Sequence, residues 1–283
     1  MKKFARKHPV WFRSILALAV LVGAMPVVYF ATAASGEADT GKVVPDSLTD
    51  PSKAQRTIDN AAFGVGEKLT FDVNYGFINA GSATMEVTRL VEYQQRPCYQ
   101  IQSRAQSNSF FSSFYRVEDR VESITDAVGI FSWRFEKDLN EGSYKAKRQC
   151  SFDQEKQRVY EGKDTIVVAP FVQDALSTLY YVRTQKLEVG KSIFLDNFVD
   201  GKAYKLEVKV LREETIKVDA GSFDCVVVEP LTSSVGVFKH EGRLTVWLTN
   251  DRLKMPVLMK SKVLVGSISA ELTDFTLGEI EEL

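Results

Sequence analysis

The chain predicts a mainly β protein: a strongly curved antiparallel sheet, as an unclosed barrel or a sandwich, with one covering helix at about residues 170–185. Three observations carry this. Stretches such as "KLTFDVNY" and "LTVWLT" alternate apolar and polar residues, the period of a half-buried strand. Turn signals recur between such stretches, among them Gly76 to Gly81, "NEG" at 140–142, Asp200–Gly201 and Ala220–Gly221. Only "PFVQDALSTLYYVRTQ" sets Val172, Ala175, Leu176, Leu179 and Tyr180 in a helical stripe, with Pro170 at its entrance.

Residues 1–33 read as an export leader. Lys2, Lys3, Arg6, Lys7 and Arg13 stand before an uncharged apolar run from Ser14 to Phe30, and Ala31 and Ala33 supply small residues for cleavage. The alternative is a retained inner-membrane anchor facing the periplasm. Residues 34–62, with Pro45 and Pro51, read as a flexible tether. A single β-rich domain is expected over 63–276 and a short tail over 277–283. Leu69, Phe71, Val73 and Tyr75 share the face of a first strand, and Ala83, Met85 and Val87 return on a second. "PCYQIQSRAQS" continues the scheme. Phe110, Phe111, Phe114 and Tyr115 form a helical turn before a strand from Val117 to Ile124. Phe131, Trp133 and Phe135 then alternate, and Tyr144 to Phe152 makes a further strand. After the helix, strands resume beyond Leu187 and end in three at 243–249, 256–265 and 267–275, with a bulge expected near Ser261. The two halves around the helix have a loosely duplicated layout.

Charge and motifs exclude several functions. Of 36 Lys and Arg, five lie in the leader, leaving 31 against 37 Asp and Glu, so no nucleic-acid partner is expected. There is no glycine-rich phosphate loop, G-x-S-x-G or H-E-x-x-H. His8 falls in the leader, and His240 in "KHEGR" reads as a polar turn rather than an acid–base group. No cofactor or metal is implied. Paired carboxylates for a hydrolase are not marked by spacing. Cys98, Cys150 and Cys225 permit one disulfide in an oxidising compartment. Cys98 with Cys150 is favoured over other pairings, beside the plainer reading of three packed thiols.

With 18 phenylalanines, a curved sheet under a helix can enclose an apolar slot for a lipid or other hydrophobic small molecule. Its candidate lining is Phe71, Tyr75, Phe111, Phe114, Trp133 and Trp247. A filled core serving an envelope protein partner is the alternative.

"GEKLTFDVNYGFINAGSATMEV", "VDAGSFDCVVVEP" and the C-terminal block resemble the DUF3108 family of exported bacterial proteins. More distantly, "VWLTNDRLKMPVLMKSKVLVGSISAEL" resembles the closing hairpins of periplasmic lipoprotein carriers and outer-membrane lipoprotein receptors, the LolA/LolB-like fold. That resemblance implies an unclosed barrel over a helix that holds acyl chains. Trp247 would match their tryptophan-bearing strand, Asp251 the turn and Pro256 the start of the return strand.

Overall fold

The computed structural model describes residues 56–232, 244–262 and 266–280. The leader, most of the tether and His240 lie outside the described residues. The strands are β1 (Lys68–Tyr75), β2 (Ile78–Tyr93), β3 (Arg96–Ser107), β4 (Glu118–Asp126), β5 (Ser132–Glu141), β6 (Tyr144–Asp153), β7 (Arg158–Glu161) and β8 (Asp164–Val167). They continue as β9 (Ser192–Val199), β10 (Lys202–Val218), β11 (Gly221–Thr232), β12 (Leu244–Thr249), β13 (Pro256–Lys262) and β14 (Ser267–Thr276). The helices are α1 (Ser109–Ser112) and α2 (Ala175–Thr184).

Among the described residues these strands form one antiparallel sheet, ordered β8-β7-β6-β5-β4-β3-β2-β1-β14-β13-β12-β11-β10-β9. Consecutive strands pair except β8 with β9, and β1 also pairs with β14. The sheet curls into a barrel that stays open between β8 and β9. This is the mainly β, unclosed architecture that the alternation predicts, with one major helix.

Strand alternation decides what the curl encloses. Leu69, Phe71 and Val73 of β1 point inward with Met85, Val87, Ile101, Val226, Val228, Leu248 and Met259, in one continuous core. Burying each such side chain contributes about 1.5–3 kcal/mol. The intervening positions, Arg104, Arg120 and Lys209 among them, face water. Apolar-in and polar-out is the reverse of a membrane-spanning barrel.

Two bulges break the alternation. Ile124 pairs with Arg134 while Thr125 pairs with Ser132, so Trp133 is the extra residue. It turns to the outer face with Phe131, Cys98 and Ile124, whereas Phe135 enters the core. The shared face expected for Phe131, Trp133 and Phe135 is thus split. On β12 and β13, Trp247 pairs with Leu258 and Leu248 with Pro256, which makes Val257 the extra residue. The bulge expected near Ser261 therefore lies at Val257. Trp247 and Val257 join Cys225 and Val227 in a second outer cluster.

The helix begins at Ala175, not at Pro170, because Asp174 caps it. The Asp174 carboxylate accepts from the Ser177 N–H at 2.9 Å, and the Ser177 hydroxyl sits on the Asp174 N–H. The preceding residues are committed elsewhere: the Gln173 N–H donates to Asp196 O, and Phe198 N–H to Gln173 O. Burial pushes the Asp174 carboxyl up, while hydrogen bonds from Ser123, Ser177 and Ser132 oppose that shift. At the other end Arg183 is buried. It makes two bonds to Glu67, at 2.7 and 2.6 Å, and donates to Ala62 O and Leu253 O.

The two halves repeat one plan. Gly66 (φ +88°) and Gly190 (φ +84°) open β1 and β9, in a conformation that favours glycine. Gly66 N–H donates to Val87 O, and Gly190 N–H to Val210 O, at 2.8 and 2.9 Å. Each acceptor precedes a bulge, at Val87/Arg89 and Val210/Arg212. Cys98 faces Asp126 as Cys225 faces Thr249. The outer bulges at Trp133 and Val257 complete the correspondence, so β1–β5 and β9–β13 are structural repeats.

Candidate functional site

One end of the barrel gathers the features that a folded core does not explain. The β1–β2 hairpin turns through Gly76 and Phe77, and α1 is a single turn between β3 and β4. Asn108 ties the two together, its side-chain N–H donating to Asn79 O at 2.8 Å and its backbone N–H to Ala80 O at 2.9 Å. Its Oδ1 caps α1 by accepting from Phe111 N–H. The β5–β6 turn joins them through Gly142 N–H and Arg116 O, 2.7 Å apart. Phe111 and Tyr75 pack inward on Ala80 and Val117. Phe77, Ile78, Phe110 and Phe114 do not: their exposures are 106%, 58%, 68% and 48%. Four large apolar side chains on two adjacent loops make a patch of the kind that marks interaction surfaces.

Beside this rim, the outer face of β2–β4 forms a groove of about 390 Å³, lined among others by Ser82, Thr84, Arg104, Gln106, Glu118 and Arg120. Arg104 stands directly opposite Arg120, a like-charge pairing that costs stability unless an anion answers it. Arg120 pairs with Glu122, and Arg116 with Glu118. Among the described residues Arg104 has no carboxylate partner and reaches Gln102 Oε1 at 3.4 Å. Between Glu118 and Arg120 on β4, Asp119 turns to the opposite, inner face, buried and accepting from Asn140 N–H at 2.9 Å. Burial pushes its carboxyl up to about 6, against that hydrogen bond and another with Glu141.

The expected slot residues scatter. Phe71 lies in the main core, Trp133 and Trp247 in separate outer clusters, and Tyr75 and Phe111 meet in the small cluster under α1. Phe114 touches Phe111, with ring centroids 5.3 Å apart. Trp133 donates its indole N–H to Asp126 at 3.1 Å, and Trp247 donates its own to Glu214 at 2.5 Å. Asp251 caps the β12–β13 turn by accepting from Leu253 and Lys254 N–H, and Pro256 starts β13.

Cys98, Cys150 and Cys225 are free, buried thiols. The expected Cys98–Cys150 bridge is not formed. Cys98 belongs to an outer cluster and Cys150 to the core, three strands apart, beyond the reach of a disulfide. Burial pushes Cys98 and Cys150 up to about 12 and Cys225 to about 11.

The seam between β8 and β9 is closed by side chains. Lys137 pairs with Asp200, and Arg148 reaches Glu161 at 3.5 Å and Asp200 at 3.9 Å. Phe152 and Phe198 meet edge to face behind it. Among the described residues no helix is long and apolar enough to cross a membrane.

Sequence reading missed Phe77, Ile78, Arg104 and Arg120. The available signals were a phenylalanine directly after a turn glycine in "YGFIN", and arginines on the outward parity of neighbouring strands.

The fold is shared with a β-barrel-like protein, of the domain of unknown function DUF1849, from Brucella abortus. The TM-score is 0.52 at 11% identity, over 77% of this chain and 100% of that one. A protein described as exported, with a YmcC-like fold, from Bacteroides fragilis aligns at 10% identity and TM-score 0.36, over 78% and 99%. A protein described as a lipoprotein, from Parabacteroides distasonis, gives 10% and 0.34, over 78% and 100%. No curated protein matches. The family described as "Protein of unknown function (DUF3108)" matches residues 70–273, and the chain belongs to it.

Proposed function

We propose that this is a non-enzymatic module of the bacterial cell envelope, working in the periplasm through its outer surface rather than through an internal slot. The observation that carries this reading is the division of the aromatic residues. Those inside the barrel belong to a continuous core, while Phe77 and Phe110 stand largely in water at one rim, with Phe114 half exposed beside Phe110. A side chain held that way costs free energy in isolation and is explained by a partner. The apolar run of the leader supports delivery across a membrane.

The test is a photo-crosslinking amino acid at position 77 or 110, in cells, with the exposed outer position 149 as control. Adducts with an envelope component at 77 and 110, absent at 149, are expected. Equal adducts at all three would overturn the reading.

A second reading keeps an acyl chain or other hydrophobic ligand inside the barrel, entering at the seam. It is favoured by the missing ladder between β8 and β9, directly outside Phe152 and Phe198. Native mass spectrometry separates the two. A stoichiometric lipid retained by the gently purified protein supports the internal site, and bare protein supports the surface reading.

A further inference from the structure

We propose that the rim of Phe77, Ile78, Phe110 and Phe114 docks on a bilayer surface rich in anionic phospholipid, with the Arg104–Arg120 groove receiving a headgroup phosphate. This rests on the surface reading above and names the partner.

Two independent features fix that choice. The apolar side chains sit on the tips of separate loops, Phe77 with its ring wholly in water beside Gly76 at φ +60°. A protein interface of ordinary kind has an apolar centre and a polar rim. Here the apolar groups are outermost, and cations stand behind them. Arg104 precedes the end of β3 by three residues and Arg120 follows Val117 by three, which places both about 10 Å back at strand spacing. An interfacial anchor buries its apolar face roughly 5–10 Å into the headgroup and acyl boundary, so such cations come level with phosphate.

Charge complementarity is the second feature. Arg104 opposes Arg120 across the strands. Arg120 is answered by Glu122, and the groove's Glu118 by Arg116, which leaves Arg104 as the groove cation with no carboxylate of its own among the described residues. Ser82, Thr84 and Gln106 add donors along the same groove. A phosphate oxygen there gives Arg104 an anionic partner, whereas a neutral apolar partner would leave it with Gln102 alone. The leader's apolar run supports a bilayer nearby, whether it is removed or retained.

The test places tryptophan at the tips, Phe77→Trp and Phe110→Trp, in the full chain, and reads quenching by phospholipids brominated on their acyl chains. The unsubstituted chain sets the background from its own tryptophans. In vesicles of phosphatidylglycerol and phosphatidylethanolamine both probes are expected to be quenched. In phosphatidylcholine vesicles quenching should require at least tenfold more lipid. Arg104→Gln with Arg120→Gln, both exposed and checked for folding by circular dichroism, should abolish that preference. Unquenched probes in anionic vesicles, or quenching indifferent to lipid charge and to the two arginines, overturn the proposal. If the probes stay unquenched while the crosslinker at 77 still yields a protein adduct in cells, the lipid assignment falls and the surface reading stands. If both fail, both fall.

Discussion

The two halves of the barrel share their strand plan but not their chemistry. Within β9–β13 the inward positions are mostly apolar, as in Leu206, Val208, Val210, Val226, Val228, Val246 and Leu248. Asn197, which donates to Thr178 of α2 at 2.6 Å, and Ser261 are buried polar exceptions. Within β1–β5 the inner wall also carries Ser103, Asp119, Ser123 and Lys137. The difference follows from what each wall faces. The α2 N-terminus docks on the first half, where Ser123 donates to Asp174 at 2.6 Å and Ser132 meets Ser177 at 2.7 Å. Each half also has an arginine holding the turn before its fifth strand. Arg56 donates to Gly129 O and Ile130 O, and Arg183 donates to Leu253 O. Arg183 is buried with Glu67, whereas Arg56 is partly exposed and stacks on Phe171 and Tyr181 at 4.6 and 4.8 Å. A repeated backbone tolerates different interiors provided that each polar group finds its partner.

The sharpest way to break this comparison is to remove a partner from each arginine. Glu67→Ala strands a buried guanidinium and is expected to cost about 3–5 kcal/mol. Arg56→Ala loses a partly exposed clamp and should cost about 1–2 kcal/mol. Urea midpoints at constant m measure both. Equal losses would mean that the two clamps are equivalent.

The seams make the next contrast, since β1 pairs with strands on both sides, whereas β9 has a ladder with β10 alone and only the bridge at Gln173 on its other edge. Asp200→Ala removes the carboxylate that Lys137 and Arg148 share across the seam and is expected to cost about 1–2 kcal/mol. Hydrogen exchange should quicken in β8 and β9 and not in β1 and β14. Uniform quickening would show that the open seam is no separate unit.

A comparable effect concerns titration. The Asp119 carboxyl rises from its ordinary value to about 6 on folding. The folded state therefore binds this proton more tightly than the unfolded chain. The associated stability is full below about pH 4 and disappears as pH climbs through about 6. Asp119→Asn keeps an acceptor for Asn140 and removes the charge. It should raise stability at pH 8 by about 2 kcal/mol relative to the parent, with little change at pH 4, in paired denaturation curves. A constant difference at all pH values would refute the assignment.

The smallest contrast lies between the tryptophans. Trp133→Phe removes a bond to the fully buried Asp126 and should cost about 1.5 kcal/mol. Trp247→Phe removes one to the partly exposed Glu214 and should cost about 0.5 kcal/mol. Thermal melts of the two variants would order them.

Much of the fold is legible because alternation and turn chemistry act over a few residues. β1, β2, β9 and the turns at Gly76 and Gly201 follow from their own sequence. The duplication was legible only as a loose likeness of layout; the structure adds that "VGEKLTFD" and "VGKSIFLD", with Val, Gly and Asp at the same spacing, occupy matching places at β1 and β9. Bulges at Trp133 and Val257 were not legible, since one extra residue reverses the side chains without altering composition. The helix start was displaced because Gln173 pairs with β9, a contact from distant sequence. The rim and groove escaped for the same reason: Phe77 and Phe110, or Arg104 and Arg120, become neighbours only when separate strands register.

Among the described strands, every ladder except β1–β14 joins neighbours along the chain. Each hairpin can therefore form as its residues emerge, with little chain entropy lost per closure. The pairing of β1 with β14 must instead gather ends some two hundred residues apart, so it should come last and set the folding rate. Until then β1 presents an unpaired edge, exposed to wrong partners. A chain cut off before Ser267 would keep that edge permanently, and its fate would be aggregation or proteolysis rather than a smaller barrel.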